Sequence, residues 1–184
     1  MTPPGSKSIT NRALVIAAAV EGESLLTGAL DSEDTQMMMG ALRKMGVQLE
    51  HDPATAVIRV QGNGGTFKGP QAGGKSGSKN GPVELFCGNS GTTIRFLTAM
   101  CANARGLFRL DGVERMRQRP LGDLLNGLRQ LGVRVEAELG NDCPPVLVHA
   151  EGIPGGRAVI PGNISSQFLS GLLMAVPRSE RAHV

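Results

Sequence analysis

An internal repeat constrains this chain more than any other feature. The segment Ala41-Leu42-Arg43-Lys44-Met45-Gly46-Val47-Gln48-Leu49-Glu50 returns as Gly127-Leu128-Arg129-Gln130-Leu131-Gly132-Val133-Arg134-Val135-Glu136, at a constant offset of 86 residues. Each copy reads as the end of an amphipathic helix, a glycine that stops it, and a strand alternating apolar with polar residues. Each leads into a second strand, over 56–60 after the Asp52-Pro53 turn and over 146–149 after residues 141–145. The copies also begin alike. Gly5-Ser6-Lys7-Ser8-Ile9-Thr10-Asn11-Arg12 opens an apolar helix followed by a strand over 24–30; Gly88-Asn89-Ser90-Gly91-Thr92-Thr93-Ile94-Arg95 opens another, followed by a strand over 106–110. With a strand at its front, each unit is βαβαββ.

A third unit begins near Gly156. A short strand over 158–160 and a Pro161-Gly162-Asn163 turn precede Ser165-Ser166-Gln167, which opens an apolar helix over 168–176. The units are expected at residues 1–82, 83–155 and 156–184, the third incomplete. Residues 62–82, rich in Gly, Ser and Lys, read as a surface linker. Gly74-Lys75-Ser76 resembles the end of a phosphate-binding loop, but no glycine stands five residues before Gly74 in a strand–loop–helix setting.

At 184 residues the chain can bury a sizeable core. Net charge is +3, with Lys and Arg scattered among Asp and Glu, and neither Trp nor Tyr is present. A nucleic-acid binder more often carries a basic stripe and aromatic stacking platforms, so no nucleic-acid partner is expected. Cys87, Cys101 and Cys143 fit no zinc or CxxC spacing, which points to reduced thiols and a cytoplasmic location. No apolar run is long enough to span a membrane. His51, His149 and His183 are far apart in the sequence, and no metal cluster is expected.

The chemistry is concentrated at three helix starts. A helix N-terminus offers free N–H groups and the positive end of its dipole, which suit anions. Ser8 and Arg12 stand four residues apart on one helix face, Lys7 and Asn11 on the adjacent one, and Gly91 and Arg95 repeat the four-residue step. Gly91 lets a ligand approach the backbone closely. Ser165, Ser166 and Gln167 add two hydroxyls and an amide. Arg115, Arg117 and Arg119 precede the second unit's second helix and suit carboxylate or phosphate. Ser or Asn at a helix start also serves as a cap, worth ~1 kcal/mol. An Arg in a first turn is different: it sits at the unfavourable end of the dipole and needs an anionic partner. If the units pack around one axis, these starts converge on a cationic pocket.

Four segments carry a resemblance. Pro4-Gly5-Ser6-Lys7-Ser8-Ile9-Thr10-Asn11-Arg12-Ala13-Leu14 resembles the N-terminal signature of the 5-enolpyruvylshikimate-3-phosphate synthase family. Gly88 to Arg95, then Arg115-Met116-Arg117-Gln118-Arg119-Pro120-Leu121-Gly122, then Ser165-Ser166-Gln167-Phe168 are similar to its later signatures, in the family's order. The resemblance implies an α/β fold of βαβαββ units around a pseudo-threefold axis, an inside-out α/β barrel with helices inside. It implies that Ser8, Arg12, Ser165, Ser166 and Gln167, with Lys7, bind shikimate 3-phosphate. Lys7, Asn89, Gly91, Arg119 and Gln167 would meet phosphoenolpyruvate, and Lys7, Arg119 and Gln167 would assist the chemistry. It implies no cofactor and no metal, and sensitivity to glyphosate at the phosphoenolpyruvate site beside Gly91.

The family's acidic general base, and several Lys and Arg ligands, come from a second domain. This chain is therefore expected to be part of one domain and inactive alone, with the second domain a possible separate partner. A sister transferase acting on UDP-N-acetylglucosamine shares the chemistry, but its corresponding start reads more like Gly-Ala-Lys-Asn than Gly5-Ser6-Lys7-Ser8. A non-catalytic module for phosphorylated metabolites or RNA is the alternative from another class.

Overall fold

The computed structural model describes residues 5–67, 81–178 and 182–183. Helix α1 (Lys7–Ala19) follows Ser6, buries Leu14, Val15, Ala17 and Ala18, and runs into β1 (Glu21–Thr27). Ser32 then starts α2 (Glu33–Lys44): its Oγ accepts from the Thr35 N–H while Thr35 Oγ1 accepts from the Ser32 N–H. This reciprocal box satisfies two donors that a helix start otherwise leaves open. Glu33 and Asp34 in the first turn, with Arg43 and Lys44 in the last, complement the helix dipole. Gly46, at φ 87, ends the helix and turns the chain into β2 (Gln48–Asp52), which is followed by β3 (Val57–Asn63).

The second unit repeats the plan. It comprises β4 (Val83–Phe86), α3 (Gly91–Cys101), β5 (Gly106–Asp111), a single 3₁₀ turn (Met116–Gln118), α4 (Gly122–Gln130), β6 (Arg134–Ala137) and β7 (Val146–Ala150). Gly132, at φ 84, ends α4 as Gly46 ends α2. A third set holds β8 (Gly156–Arg157), α5 (Ser166–Ala175), a 3₁₀ turn and β9 (Ala182–His183).

One sheet has the order β1-β3-β2, all antiparallel; a second has the order β4-β5-β7-β6. The β4–β5 pair is parallel, so α3 is its crossover, while β7 pairs antiparallel with both β5 and β6. Burial alternates along β3 and β7, placing Ile58, Val60, Val146 and Val148 in the core. The first helices of the three sets form the interior, α3 lying against both α1 and α5. The second helices lie over the seams, α2 against α1 and α3, α4 against α3 and α5. All of α3 except Arg95 is buried, as a helix between two others must be.

Three sequence expectations shift. The strand expected over 24–30 begins at Glu21 and ends before Gly28, whose φ of 67 turns the chain away. The linker expected from Gly62 begins later, because β3 continues to Asn63, where it faces Glu21. The strand expected over 158–160 does not form. Val159 instead donates its N–H to Gln130 Oε1 (2.9 Å) and accepts from Gln130 Nε2 (3.0 Å), so a helix side chain replaces a strand partner. Gly74, Lys75 and Ser76 lie outside the described residues.

Candidate functional site

Each inner helix start is fixed to the strand ends beside it. Thr10 Oγ1 accepts the Leu30 N–H at 3.1 Å, and Thr35 Oγ1 donates to the Leu30 carbonyl at 2.8 Å, tying α1 to the loop before α2. At α3, the Cys87 N–H donates to Asp111 O (2.7 Å) and the Val113 N–H to Gly88 O (3.1 Å). Ser90 caps α3 by accepting from the Thr93 N–H, and Ser165 caps α5 by accepting from the Gln167 N–H at 3.2 Å.

The side chains of these starts interlock. Arg12 Nη1 donates to Ser8 Oγ and, at 3.0 Å, to the Ser8 carbonyl; its Nη2 reaches Ser170 Oγ on α5 at 3.3 Å. Arg95 Nη1 donates to Gln167 Oε1 at 2.8 Å and to the Gly91 carbonyl at 3.3 Å, while Gln167 Nε2 donates to Thr92 Oγ1 at 3.3 Å. Arg119 Nη1 donates to Asn89 O at 3.3 Å. A Cβ on Gly91 would stand 2.8 Å from Nη1 of both Arg95 and Arg119, so two guanidinium tips flank this glycine. Lys7 Nζ lies 3.4 Å from Asp34 Oδ1.

Two guanidinium groups rest on rings, Arg12 over Phe96 (5.1 Å) and Arg95 over Phe168 (5.2 Å). Such stacking favours a cation by about 0.5–1 kcal/mol and holds it flat. Burial lowers the Arg95 pKa, and the neighbouring charge of Arg119 lowers it further. Its Nε is buried without a partner among the described residues. Among the described residues no carboxylate lies within ion-pair distance of Arg12, Arg95 or Arg119. Cations without a carboxylate partner among the described residues, set at the positive ends of α1 and α3, suit an anion.

The structure thus gathers Asn89, Gly91, Arg119 and Gln167 around Arg95, and joins Ser8 to Arg12 in a second group that reaches α5 at Ser170. Ser165 spends its hydroxyl oxygen on the cap, and Ser166, in the first turn of α5, is exposed. Lys7 and Asn11 do not share a functional face. Lys7 is turned towards Asp34, whereas Asn11 is fully buried with neither amide atom partnered among the described residues. The arginine trio also divides: Arg119 reaches the α3 start, while Arg117 makes two bonds to Asp111, at 3.1 and 2.7 Å. His149 pairs with Glu136 at 2.9 Å on the β6–β7 surface.

Sequence reasoning set Arg95 at the second helix start without a ligand role, and missed Thr92, Ser170 and Asp34 as site residues. Arg95 carried a signal, since it follows Gly88 by the same seven residues that separate Arg12 from Gly5. The other three are seen only through contacts between helices distant in sequence.

A family model described as EPSP synthase (3-phosphoshikimate 1-carboxyvinyltransferase) matches residues 1–184. This chain belongs to the EPSP synthase family. It is 46% identical over 177 residues to the chloroplastic 3-phosphoshikimate 1-carboxyvinyltransferase of Brassica napus, covering 95% of this chain and 33% of the relative. It is 49% identical over 177 residues to the 3-phosphoshikimate 1-carboxyvinyltransferase of Pseudomonas syringae pv. syringae, covering 95% and 38%. The chain therefore spans about a third of the length of the curated relatives it matches. The EPSP synthase structure from Acinetobacter baumannii superposes with a TM-score of 0.83 at 28% identity, covering 98% of this chain and 38% of that one. The enolpyruvyl transferase NikO from Streptomyces tendae shares the fold, with a TM-score of 0.62 at 16% identity over 96% of this chain and 37% of that one. The α/β fold of the enolpyruvyl transferases is thus the fold of this chain. No helix among the described residues is long and apolar enough to cross a membrane.

Proposed function

We propose that this chain supplies the shikimate 3-phosphate side of an enolpyruvyl transfer from phosphoenolpyruvate. The observation that carries the reading is the set of three arginines with no carboxylate partner among the described residues, Arg12, Arg95 and Arg119, at the starts of α1 and α3 and beside Gly91. A ligand bearing both phosphate and carboxylate suits them. In this reading Arg12 and Ser8 take the carboxylate and ring hydroxyls, Ser165 and Ser166 the 3-phosphate, and Gln167 lies along the ring. Lys7 and Gln167 meet both ligands, and Asn89, Gly91 and Arg119 face phosphoenolpyruvate.

The reaction is an addition followed by an elimination. A proton adds to the methylene carbon of phosphoenolpyruvate while the 5-hydroxyl oxygen bonds to the adjacent carbon and loses its own proton. The tetrahedral ketal phosphate then loses phosphate and a methyl proton, restoring the double bond. Preorganised cations stabilise the charge that develops and fix the reactants in register. Lys7, half exposed and able to donate, is the proton carrier on this side. The acidic base belongs to a second domain, present in the same polypeptide or as a separate chain, so the 184 residues alone bind without turning over. Residues 1–82, 83–155 and 156–184 act as three units of one domain in this reading, with the cytoplasm as its location.

Calorimetric titration with shikimate 3-phosphate tests the proposal, with Arg12→Ala and Ser165→Ala as controls. Saturable binding lost in both variants supports it. A folded chain that fails to bind, or one whose variants bind equally well, overturns it.

A further inference from the structure

We propose that Asp34 is a positioning residue of this site. It holds the Lys7 ammonium at the junction of α1 and α3 and, through Ser90, holds the start of α3 in the same clasp. The proposal rests on the anion-binding reading above, but its geometry stands apart from any ligand.

Asp34 is the second residue of α2, where a negative charge is favoured by the helix dipole. Its two carboxylate oxygens face different helices. Oδ1 lies 3.4 Å from Lys7 Nζ on α1, and Oδ2 accepts from Ser90 Oγ, the cap of α3, at 2.6 Å. Its main-chain carbonyl accepts from Thr93 Oγ1 at 3.1 Å, and Ser90 Oγ lies 2.7 Å from the same Thr93 oxygen. The carboxylate is thus held from two sides and the main chain of Asp34 from a third, and its side chain is 22% exposed against 50% for Lys7.

The asymmetry assigns the roles. A lysine on an exposed first turn, at the repelling end of its own helix, samples many rotamers and gains little there. A fixed carboxylate on a neighbouring helix selects one of them. It uses one of three ammonium donors and leaves two for a bound anion. The same carboxylate steadies Ser90, and so the Asn89–Gly91 segment whose carbonyls receive Arg119 and Arg95. Its effect passes through Lys7 and Ser90.

Competitive lysine acylation read by mass spectrometry tests the clasp without ligand, with Lys44 as the internal reference. Asp34→Asn removes the ion pair and keeps an acceptor for Ser90; Ser90→Ala keeps the ion pair and removes the carboxylate's link to α3. Acylation of Lys7 is expected to rise about three- to fivefold in Asp34→Asn and to stay at the wild-type rate in Ser90→Ala. An unchanged Lys7 rate in Asp34→Asn, with a normal thermal melt, overturns the proposal. In the shikimate 3-phosphate titration, Asp34→Asn is expected to weaken binding about three- to tenfold, and to have no effect when Lys7 is already Met. The same loss in the Lys7→Met background refutes action through Lys7. If the unaltered chain does not bind at all, the functional reading fails and the acylation rates alone decide the clasp.

Discussion

Gly91→Ala probes the site where its geometry is tightest. The new methyl would lie 2.8 Å from Nη1 of Arg95 and of Arg119, while ordinary contact begins at 3.4 Å. Each tip must withdraw by roughly 0.6 Å, the difference between those distances. Both are ends of flexible side chains, so the fold yields cheaply, and Ala is better than Gly in a helix by up to about 1 kcal/mol. The melting temperature is therefore expected to stay within about 3 °C. The site does not yield so cheaply. Withdrawal strains the 2.8 Å bond from Arg95 to Gln167, and charge-assisted bonds contribute about 1.5–3 kcal/mol. Losing half of one weakens binding by about three- to tenfold for a ligand seated between Arg119 and Gly91. Shikimate 3-phosphate, resting on Arg12 and Ser165, is expected to lose less than about threefold. Calorimetric titration of wild type and variant with phosphoenolpyruvate and with glyphosate, each under saturating shikimate 3-phosphate, measures the first, and shikimate 3-phosphate alone the second. Equal losses for both classes of ligand would refute the reasoning. The contrast is Gly112→Ala, whose methyl falls on the Gly88 carbonyl oxygen, a rigid backbone atom, and lies 2.8 Å from Met116 Cβ. That variant is expected to lose about 2–4 kcal/mol, a fall of about 5–10 °C in the same melt.

Other consequences concern stability, reactivity and association. Burial raises the Asp111 pKa, but hydrogen bonds from Arg117 and the Gly112 N–H, with the charges of Arg117 and Arg109, outweigh it and hold the carboxyl below 3.8. A carboxyl depressed by folding stabilises the chain above its unfolded value and loses that contribution as pH falls through its folded one. Asp111→Asn should therefore be less stable than wild type at pH 7, with the gap closing below about pH 4 in acid titrations; a gap independent of pH would count against the pair. Burial drives the Cys87 thiol up to about 12 and raises Cys101 well above 9.0 and Cys143 above it. Folded protein at pH 8 should resist thiol labelling at all three until denaturant is added, and rapid labelling of Cys87 in the native state would contradict its burial. Ile9 and Ile16 on α1, and Leu169 and Leu173 on α5, expose apolar surface on the helices joined by the Arg12–Ser170 contact. Ile16→Asp with Leu173→Asp should reduce self-association in sedimentation, and a wild-type monomer at high concentration would show that the patch is inert.

Much of the fold is written locally. Gly46 and Gly132 stop their helices because each must adopt a positive φ, and the alternation after them places Leu49 and Val135 inward. The doubled pattern, and the glycine- and serine-rich helix starts, follow from spacing alone. So do Ser8 and Arg12, whose four-residue step joins them on one helix face. Spacing could not say which face meets what. Lys7 and Asn11 share a face by periodicity, yet one pairs with Asp34 across a helix seam and the other is buried. Arg117 and Arg119 stand two residues apart, but the turn at Met116–Gln118 sends one to Asp111 and the other to the α3 start. The segment 158–160 has the residues of a strand but took Gln130 as its partner. In each case the local sequence determined the element and the side chain, while the deciding free energy came from a partner far along the chain. The hydrophobic packing of α1, α3 and α5 brought that partner near, and packing depends on which faces meet, not on the order of residues along any one of them.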